Sequence, residues 1–437
     1  MERYTYKKDL RVKHNVDVFV AGGGPAGVAA AVAAARRGAS VYIAESFTAF
    51  GGAAVTMLVP AFMQFGDGEN FLAAGIGSEV FESIKEKSYP SFQKYCPHSI
   101  PVETLKIIYD DMVVKSGALF SFNTNVIDVC AEDGRISAVI CASKGSVFAV
   151  KAKVYVDCTG DGDVAFYAGA EYTLGNEQGE LMASTLCGIW AGISWGDVKG
   201  NDGRMLDKAF EDGLFTNEDR HLPGMWRIAD GIGGSNAGHI YDINGCDADS
   251  LTKGIISGRK QLAEYREYYR NYLTGFERAE LVYSASQIGI RETRRIIGDY
   301  TLCLDDFISR AIFDDEIGRY CYNIDIHSAV NTKEGFELFS REHKGYRYSK
   351  GESYGIPYRT LTPKGFSNLI VAGRCVSADR HMQSSLRVMP GCFITGQAAG
   401  TAAAICAADN SDVHDADITE IQRALLSLGA FLPNFKA

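Results

Sequence analysis

Val18-Phe19-Val20-Ala21-Gly22-Gly23-Gly24-Pro25-Ala26-Gly27, followed eighteen residues later by Glu45, decides the fold. Val18 to Ala21 is a short apolar run that reads as a buried strand. The Ala-rich stretch after Pro25 reads as a helix that stops at Gly38, and Ser40 to Ala44 reads as a second strand that delivers Glu45. Each glycine has its own role. Gly22 permits the tight turn, Gly24 lets a pyrophosphate approach the backbone, and Gly27 lets the helix lie close on the sheet. The helix N-terminus adds free N–H groups and the positive end of a dipole. Glu45 is placed to accept hydrogen bonds from an adenosine ribose, and its charge repels a 2′-phosphate, which argues against NADP. Strand, turn, helix and terminal acid stand in register, so the chain is expected to bind a dinucleotide.

Composition fits a large folded enzyme. The 437 residues allow about two or three domains, and 46% hydrophobic with 22% charged content is unlike a disordered chain. The net charge of −10 and a pI near 5.4 argue against nucleic acid or an anionic membrane surface as partner. The eleven cysteines are scattered without a C-x-x-C pair, which gives no support to a clustered iron–sulfur or zinc site and suits a reducing cytoplasm. No metal site is expected. Met1 to His14 lacks the hydrophobic core of a signal peptide. Val388 to Ala408 is apolar but built from Ala, Gly and Thr around Gln397, which reads as a core helix rather than a membrane insertion.

Pattern changes divide the chain. Gly51-Gly52-Ala53-Ala54 is a second close-approach glycine site, and part of 55–105 is a candidate cap. Glu103 to Lys115 has helical spacing, and three strands follow, broken at Asp133-Gly134 and Lys144-Gly145. The last strand, Val154 to Cys158, enters Thr159-Gly160-Asp161-Gly162-Asp163. Beyond about 176 the alternation of strand and glycine turn fades into a Trp- and Tyr-rich region. A buried strand returns at Asn368 and leads to the helix from Gly391. The expected architecture is α/β: a Rossmann-like domain in 1–175, an inserted α+β substrate domain in 176–353, and a closing part of the first domain in 354–437.

Together these residues resemble the glutathione-reductase-type flavoproteins, and within them the bacterial FAD-dependent oxidoreductase family that includes proteins loosely labelled xanthan lyases. The resemblance covers nearly the whole chain. It is carried by Gly22 to Gly27, Glu45 and Gly51-Gly52; by Asp157 to Asp163; by Arg291-Glu292-Thr293-Arg294-Arg295-Ile296 with Gly298-Asp299-Tyr300 and Ile324-Asp325-Ile326-His327; and by Tyr354 to Arg359, Val371 to Arg374, Arg387-Val388-Met389-Pro390 and Gly396 to Gly400. One departure stands out: relatives often carry a Thr-His pair after Ser377-Ala378, where this chain has Asp379-Arg380-His381. The resemblance implies FAD. Its adenosine end would lie on the first turn, Glu45, Ser46, Gly51, Gly52 and Ala53, with adenine against the backbone at Val126. Thr159, Gly160, Asp163, Gly373 and Arg374 would hold the ribityl and pyrophosphate. Arg387, Val388, Met389 and Gly391 would face the flavin pyrimidine, where the helix dipole and Arg387 would favour the reduced form.

A second glycine fingerprint is missing, because Gly231-Ile232-Gly233-Gly234 lacks the following helix and acid. A separate NADPH domain is therefore not expected: either substrate and acceptor use the same flavin face in turn, or an external oxygen, quinone or redox protein reoxidises the flavin. The expected reaction moves a hydride between flavin N5 and a small polar molecule such as a sugar or hydroxy acid, with a side chain handling the proton. His327 and His381 are the candidates, His327 with a hydrogen-bonded core histidine as the alternative. His239 beside Tyr241 is a candidate pocket residue, and His14, His343 and His414 read as surface. Arg291 and Arg294 would bind a carboxylate or sugar hydroxyls, or form an ion-pair scaffold with Glu292 and Asp299; if the segment is helical, both share one face. His381 and Cys375 remain open as points of covalent flavin attachment. Two other readings stay open: a redox-neutral isomerase or hydratase with a passive flavin, and a non-catalytic FAD sensor. NAD at the first turn, in a thiazole-synthase-like arrangement, is disfavoured by the later flavin segments.

Overall fold

A computed structural model describes residues 4–88, 98–199, 203–218, 224–333, 337, 341 and 345–436; His343 lies outside the described residues. The first strand, β1 (Val12–Ala21), is the centre of the main sheet, with Val18 to Ala21 fully buried. It pairs in parallel with β2 (Val41–Ala44) on one side, and β2 with β3 (Leu119–Ser121). On the other side it pairs in parallel with β6 (Ser146–Asp157). Strand β6 is long enough to serve two sets of neighbours. Its N-terminal half runs antiparallel to β5 (Arg135–Ser143), which pairs with β4 (Thr124–Glu132), and its C-terminal end takes β15 (Leu369–Val371) in parallel. The turns between β4, β5 and β6 fall at Asp133-Gly134 and Lys144-Gly145, as the sequence requires.

The helix Pro25–Arg36 is buried from Pro25 through Ala34 between this sheet and the helix Met389–Asp409. Their small residues are explained by backbone contact. A Cβ on Gly396 would lie 2.2 Å from the Ala26 carbonyl oxygen, and one on Gly400 would lie 1.9 Å from that of Ala30. Met389–Asp409 is the single described helix long and apolar enough to cross a membrane, and 94% of its apolar window is buried inside the protein.

A second core holds an antiparallel sheet in the order β11-β8-β10-β9, from β8 (Gly188–Ala191), β9 (Gly224–Ala229), β10 (Ile232–Asn236) and β11 (Glu280–Ser284). Gly231 lies in the hairpin turn between β9 and β10, and Ile232 to Gly234 already pair within β10. The helix Ala248–Tyr272 covers this sheet with Leu262, Tyr265, Tyr268 and Tyr269, and the buried Trp190 donates its indole N–H to Ser235 Oγ at 2.8 Å. Most of the Tyr and Trp richness is thus core.

The chain then returns to the first core before 353. Strand β12 (Arg294–Ile296) pairs with β7 (Tyr172–Leu174), and β13 (Glu316–Tyr320) with β14 (Tyr354–Pro357). Leu302, Phe307, Ile317, Ile324 and Ile326 share one apolar cluster with Val18 and Ala399. The segment 176–353 is therefore divided between two cores. Arg294 to Ile296 is a strand, captured by pairing with β7, and Arg291 to Thr293 lies outside any helix, so Arg291 and Arg294 do not share a helix face.

Candidate functional site

The first turn is built as its sequence demands. Gly22 has φ +86°, and a Cβ there would meet the Cys158 carbonyl oxygen at 2.6 Å. A Cβ on Gly27 would strike the Gly22 carbonyl oxygen at 1.8 Å, so this helix residue serves packing and does not line the cavity. Gly24 differs: a Cβ there would meet nothing closer than 3.8 Å, so the space ahead of the helix N-terminus is open. Glu45 follows directly on β2, its carboxylate accepting from the Gly23 N–H at 2.6 Å and the Phe47 N–H at 2.8 Å. Burial pushes its pKa up, and those backbone donors oppose the rise.

A cavity of about 680 Å³ begins at Glu45, Ser46 and Val126 and passes Gly22, Gly24, Pro25, Ala26, Gly52 and Ala53. It continues along Thr159, Gly160 and Asp163, then Gly373 and Arg374, then Arg387, Val388 and Met389, and ends among Thr185, Arg291, Tyr322, Asp325 and His327. Gly51 and Gly391 lie behind this lining. A Cβ on Gly51 would meet the Val55 side chain at 2.4 Å, and one on Gly391 the Leu386 carbonyl oxygen at 2.4 Å, so both serve backbone packing.

The middle of the cavity is held by two charged struts. Asp157, fully buried at the end of β6, accepts from Thr159 Oγ1 at 2.7 Å and from the Ala165 N–H at 3.0 Å, which fixes the Thr159–Asp163 loop. Arg374 donates to the carbonyls of Gly160 at 3.0 Å and Ile290 at 2.7 Å and to Asp161 at 2.5 Å, so it ties three segments together while lining the cavity. Arg294 is a scaffold residue. It pairs with Asp163 at 2.9 Å and lies over the Phe166 ring at 3.9 Å, away from the cavity lining. Burial, helped by Asp161 and Asp157 and opposed by Arg294, pushes the Asp163 carboxyl up to about 6.

At the far end Arg387 donates to the Asp325 carbonyl at 3.0 Å and carboxylate at 3.1 Å. His327 Nε2 lies 3.6 Å from the same carboxylate. Burial is the first cause that drives the nearby Tyr322 hydroxyl far above its ordinary value, with Asp325 adding to it. The loop carrying His327 is pinned to the helix Arg380–Leu386, where Ser384 Oγ accepts from the Asp325 N–H at 2.9 Å and Ser385 Oγ donates to the Tyr322 carbonyl at 2.5 Å. Arg291 lines the cavity while donating to the Ala183 carbonyl at 2.7 Å.

His381 does not line the cavity. Asp379 caps the helix at Arg380, which sends Arg380 inward to the buried Glu292 at 3.1 Å and leaves half-buried His381 toward Tyr346. Cys375 is buried outside the lining as well, and burial pushes its thiol well above the usual range. Neither candidate for covalent attachment therefore faces the site. Glu292 also pairs with Arg295, so two of the segment's arginines and Arg380 serve ion pairs. Trp226, Met57, Met63, Gln287 and Thr185 line the cavity without any local motif to mark them. Among the described residues no group of three or more His, Cys, Asp or Glu side chains is placed to hold a metal ion.

Open backbone at Gly24 ahead of a helix N-terminus, the buried acid Glu45 held on that turn and Arg387 in the same cavity lining make a site shaped for a dinucleotide. The model of the family described as FAD dependent oxidoreductase matches residues 17–425, and the chain belongs to that family. It is an FAD-dependent enzyme and a flavoprotein with a Rossmann-like nucleotide-binding fold. A thiamine thiazole synthase of Pyrococcus horikoshii is 29% identical over 170 residues, which is 36% of this chain and 62% of that one. Less than two thirds of that relative is therefore spanned. Among solved structures, a geranylgeranyl bacteriochlorophyll reductase-like protein of Thermoplasma acidophilum superposes with TM-score 0.48 at 12% identity, covering 95% of this chain and 83% of that one. The p-nitrophenol 4-monooxygenase of Pseudomonas putida gives TM-score 0.46 at 10% identity, covering 94% and 84%.

The residues present fit FAD. The cradle at Gly24 is one that a Cβ would fill, and the Arg387 Nε is a buried donor without an acceptor among the described residues.

Proposed function

We propose that this enzyme, built on a fold of the glutathione-reductase type, oxidises a small polar organic molecule, a hydroxy acid or sugar, at the end of the cavity lined by Tyr322, Asp325 and His327. The observation that carries the reading is His327 on the cavity wall beside Asp325, with Arg291 in the same lining. Bound FAD supplies a two-electron ring system that accepts a hydride from carbon. Glu45, Gly24 and Thr159 bind the nucleotide half, and Gly373 and Arg374 the stretch beyond it. Arg387, fixed by Asp325, places a permanent positive charge at the other end, where charge accumulates on reduction. Arg291 orients a substrate carboxylate or hydroxyl, and His327 takes the hydroxyl proton. An external oxygen, quinone or redox protein then accepts the electrons. Acidic charge and unclustered cysteines support a reducing cytoplasm as the place of action.

An anaerobic titration of the FAD-loaded protein with hydroxy acids and sugars, read as loss of flavin absorbance, tests this reading. Bleaching confined to one compound class supports the proposal. An oxidised flavin that no member reduces rejects it and returns the redox-neutral reading.

A further inference from the structure

The two histidines at the end of the cavity meet across the boundary between the two cores. His327 lines the cavity, whereas His239 is 1% exposed and stands behind it. His239 Nε2 is 2.7 Å from His327 Nδ1, with the rings nearly perpendicular at 88°. At that separation one hydrogen is shared between two nitrogens, so each tautomer of one ring dictates that of the other. With the hydrogen on His239, neutral His327 carries its proton on Nε2 and is an acid. With the hydrogen on His327 Nδ1, the Nε2 of His327 is a lone-pair base, and His239 carries its other proton on Nδ1. That nitrogen lies 3.4 Å from the hydroxyl of half-buried Tyr241.

The pair is held at both ends. The His239 carbonyl accepts from Asn217 Nδ2 at 2.9 Å and from Gln261 Nε2 at 3.0 Å, and the loop of His327 is anchored through Asp325 to Ser384. Among the described residues, the charged and titratable groups near it include Asp325 with Arg387, Tyr322, Tyr241, Arg291 beside Asn236, and Tyr265 packed against Gly238.

We propose that His327 and His239 form a two-imidazole relay that carries the proton released in substrate oxidation from the cavity to Tyr241. The source of that proton rests on the function proposed above. The balance is complete: the substrate C–H bond breaks with its electron pair going to the bound cofactor, and the O–H proton goes to His327 Nε2. The Nδ1 proton of His327 passes to His239 Nε2, the Nδ1 proton of His239 passes to the Tyr241 oxygen, and the Tyr241 proton leaves to solvent. A carbonyl product remains. His239 is a positioning residue, acting only through His327.

The experiment uses the FAD-loaded protein labelled with ¹⁵N-histidine. The expected NMR result is a nitrogen–nitrogen coupling across the shared hydrogen, lost in His239→Phe, together with exchange of that hydrogen into D₂O slowed about tenfold or more by Tyr241→Phe. His239→Gln replaces His239→Phe if the latter does not fold. Absence of the coupling overturns the pair, and coupling with exchange unchanged in Tyr241→Phe overturns the relay and leaves a structural hydrogen bond. Neither readout needs a substrate. A panel that never bleaches the flavin, with both NMR results as expected, would therefore reject the hydride reading while the proton path stands. Where a substrate is found, His239→Phe lowers the flavin reduction rate and added imidazole restores it.

Discussion

Replacing Gly24 by alanine separates cofactor binding from folding. Gly24 precedes the helix with φ −68° and ψ −174°, a backbone any residue adopts, and its added Cβ meets no protein atom within 3.8 Å. Alanine is a poorer N-cap than glycine, which costs about 0.5–1 kcal/mol. It also removes unfolded-state freedom, which returns about 0.4–1 kcal/mol. The apoprotein is therefore expected to melt within about 2 °C of wild type. The cofactor loses more, because the methyl fills the space through which a pyrophosphate approaches the backbone donors. One charge-assisted hydrogen bond is worth about 1.5–3 kcal/mol, so Kd for FAD rises about ten- to hundred-fold. The assay is titration of apoprotein with FAD by flavin fluorescence, paired with calorimetric melting without FAD. A wild-type Kd in Gly24→Ala would refute the placement of the nucleotide on this turn. A large drop in apoprotein melting temperature would refute the claim that the space is open.

Other outcomes follow from the same geometry. Gly400→Ala places a Cβ 1.9 Å from the Ala30 carbonyl oxygen, and the two helices must separate. It should cost about 1–3 kcal/mol or more by overpacking, read by denaturant unfolding, with FAD affinity of the folded fraction retained. Glu45→Gln removes the carboxylate at the adenosine end and should weaken FAD about ten-fold or more, the worth of one charged hydrogen bond, measured by calorimetric titration. Asp163 titrates near 6 in the folded protein, above its ordinary value, so folding favours its protonated form. The stability this contributes is complete below the ordinary carboxylate value and is lost as pH rises through about 6. Asp163→Asn apoprotein should therefore match wild type at pH 4 and melt higher at pH 7.5. Equal melting temperatures at both values contradict the raised pKa.

The first turn of the site was legible because its signals are local. Gly22, Gly24, Pro25 and Glu45 lie within one strand–turn–helix–strand unit, and the turn that Gly22 makes has few alternatives. The far half was not. The residues of Arg291 to Ile296 do not reveal their own conformation, and only pairing of Arg294–Ile296 with β7, more than a hundred residues away, makes that part a strand and turns Arg294 toward Asp163. The expectation for His381 fails for a related reason: Arg374 and Arg387 on either side of it line the cavity, but the helix between them, capped by Asp379, contributes no lining residue and turns Arg380 to Glu292. The contact between His239 and His327 joins residues 88 positions apart on different cores, and no spacing rule reaches across that gap. The glycines of Met389–Asp409 show the reverse case. Their apolar, small-residue pattern already implied a core helix, and the contacts at Ala26 and Ala30 supply the reason.

The role of His327 as proton acceptor is tested most directly by anaerobic stopped-flow reduction of the bound flavin in wild type and His327→Asn, using the compound class that bleaches the wild type. The expected result is unchanged FAD content in the variant and a reduction rate lowered about 10²- to 10⁴-fold, the usual contribution of a positioned proton acceptor. Reduction at the wild-type rate in His327→Asn, with the same FAD content, would contradict that role.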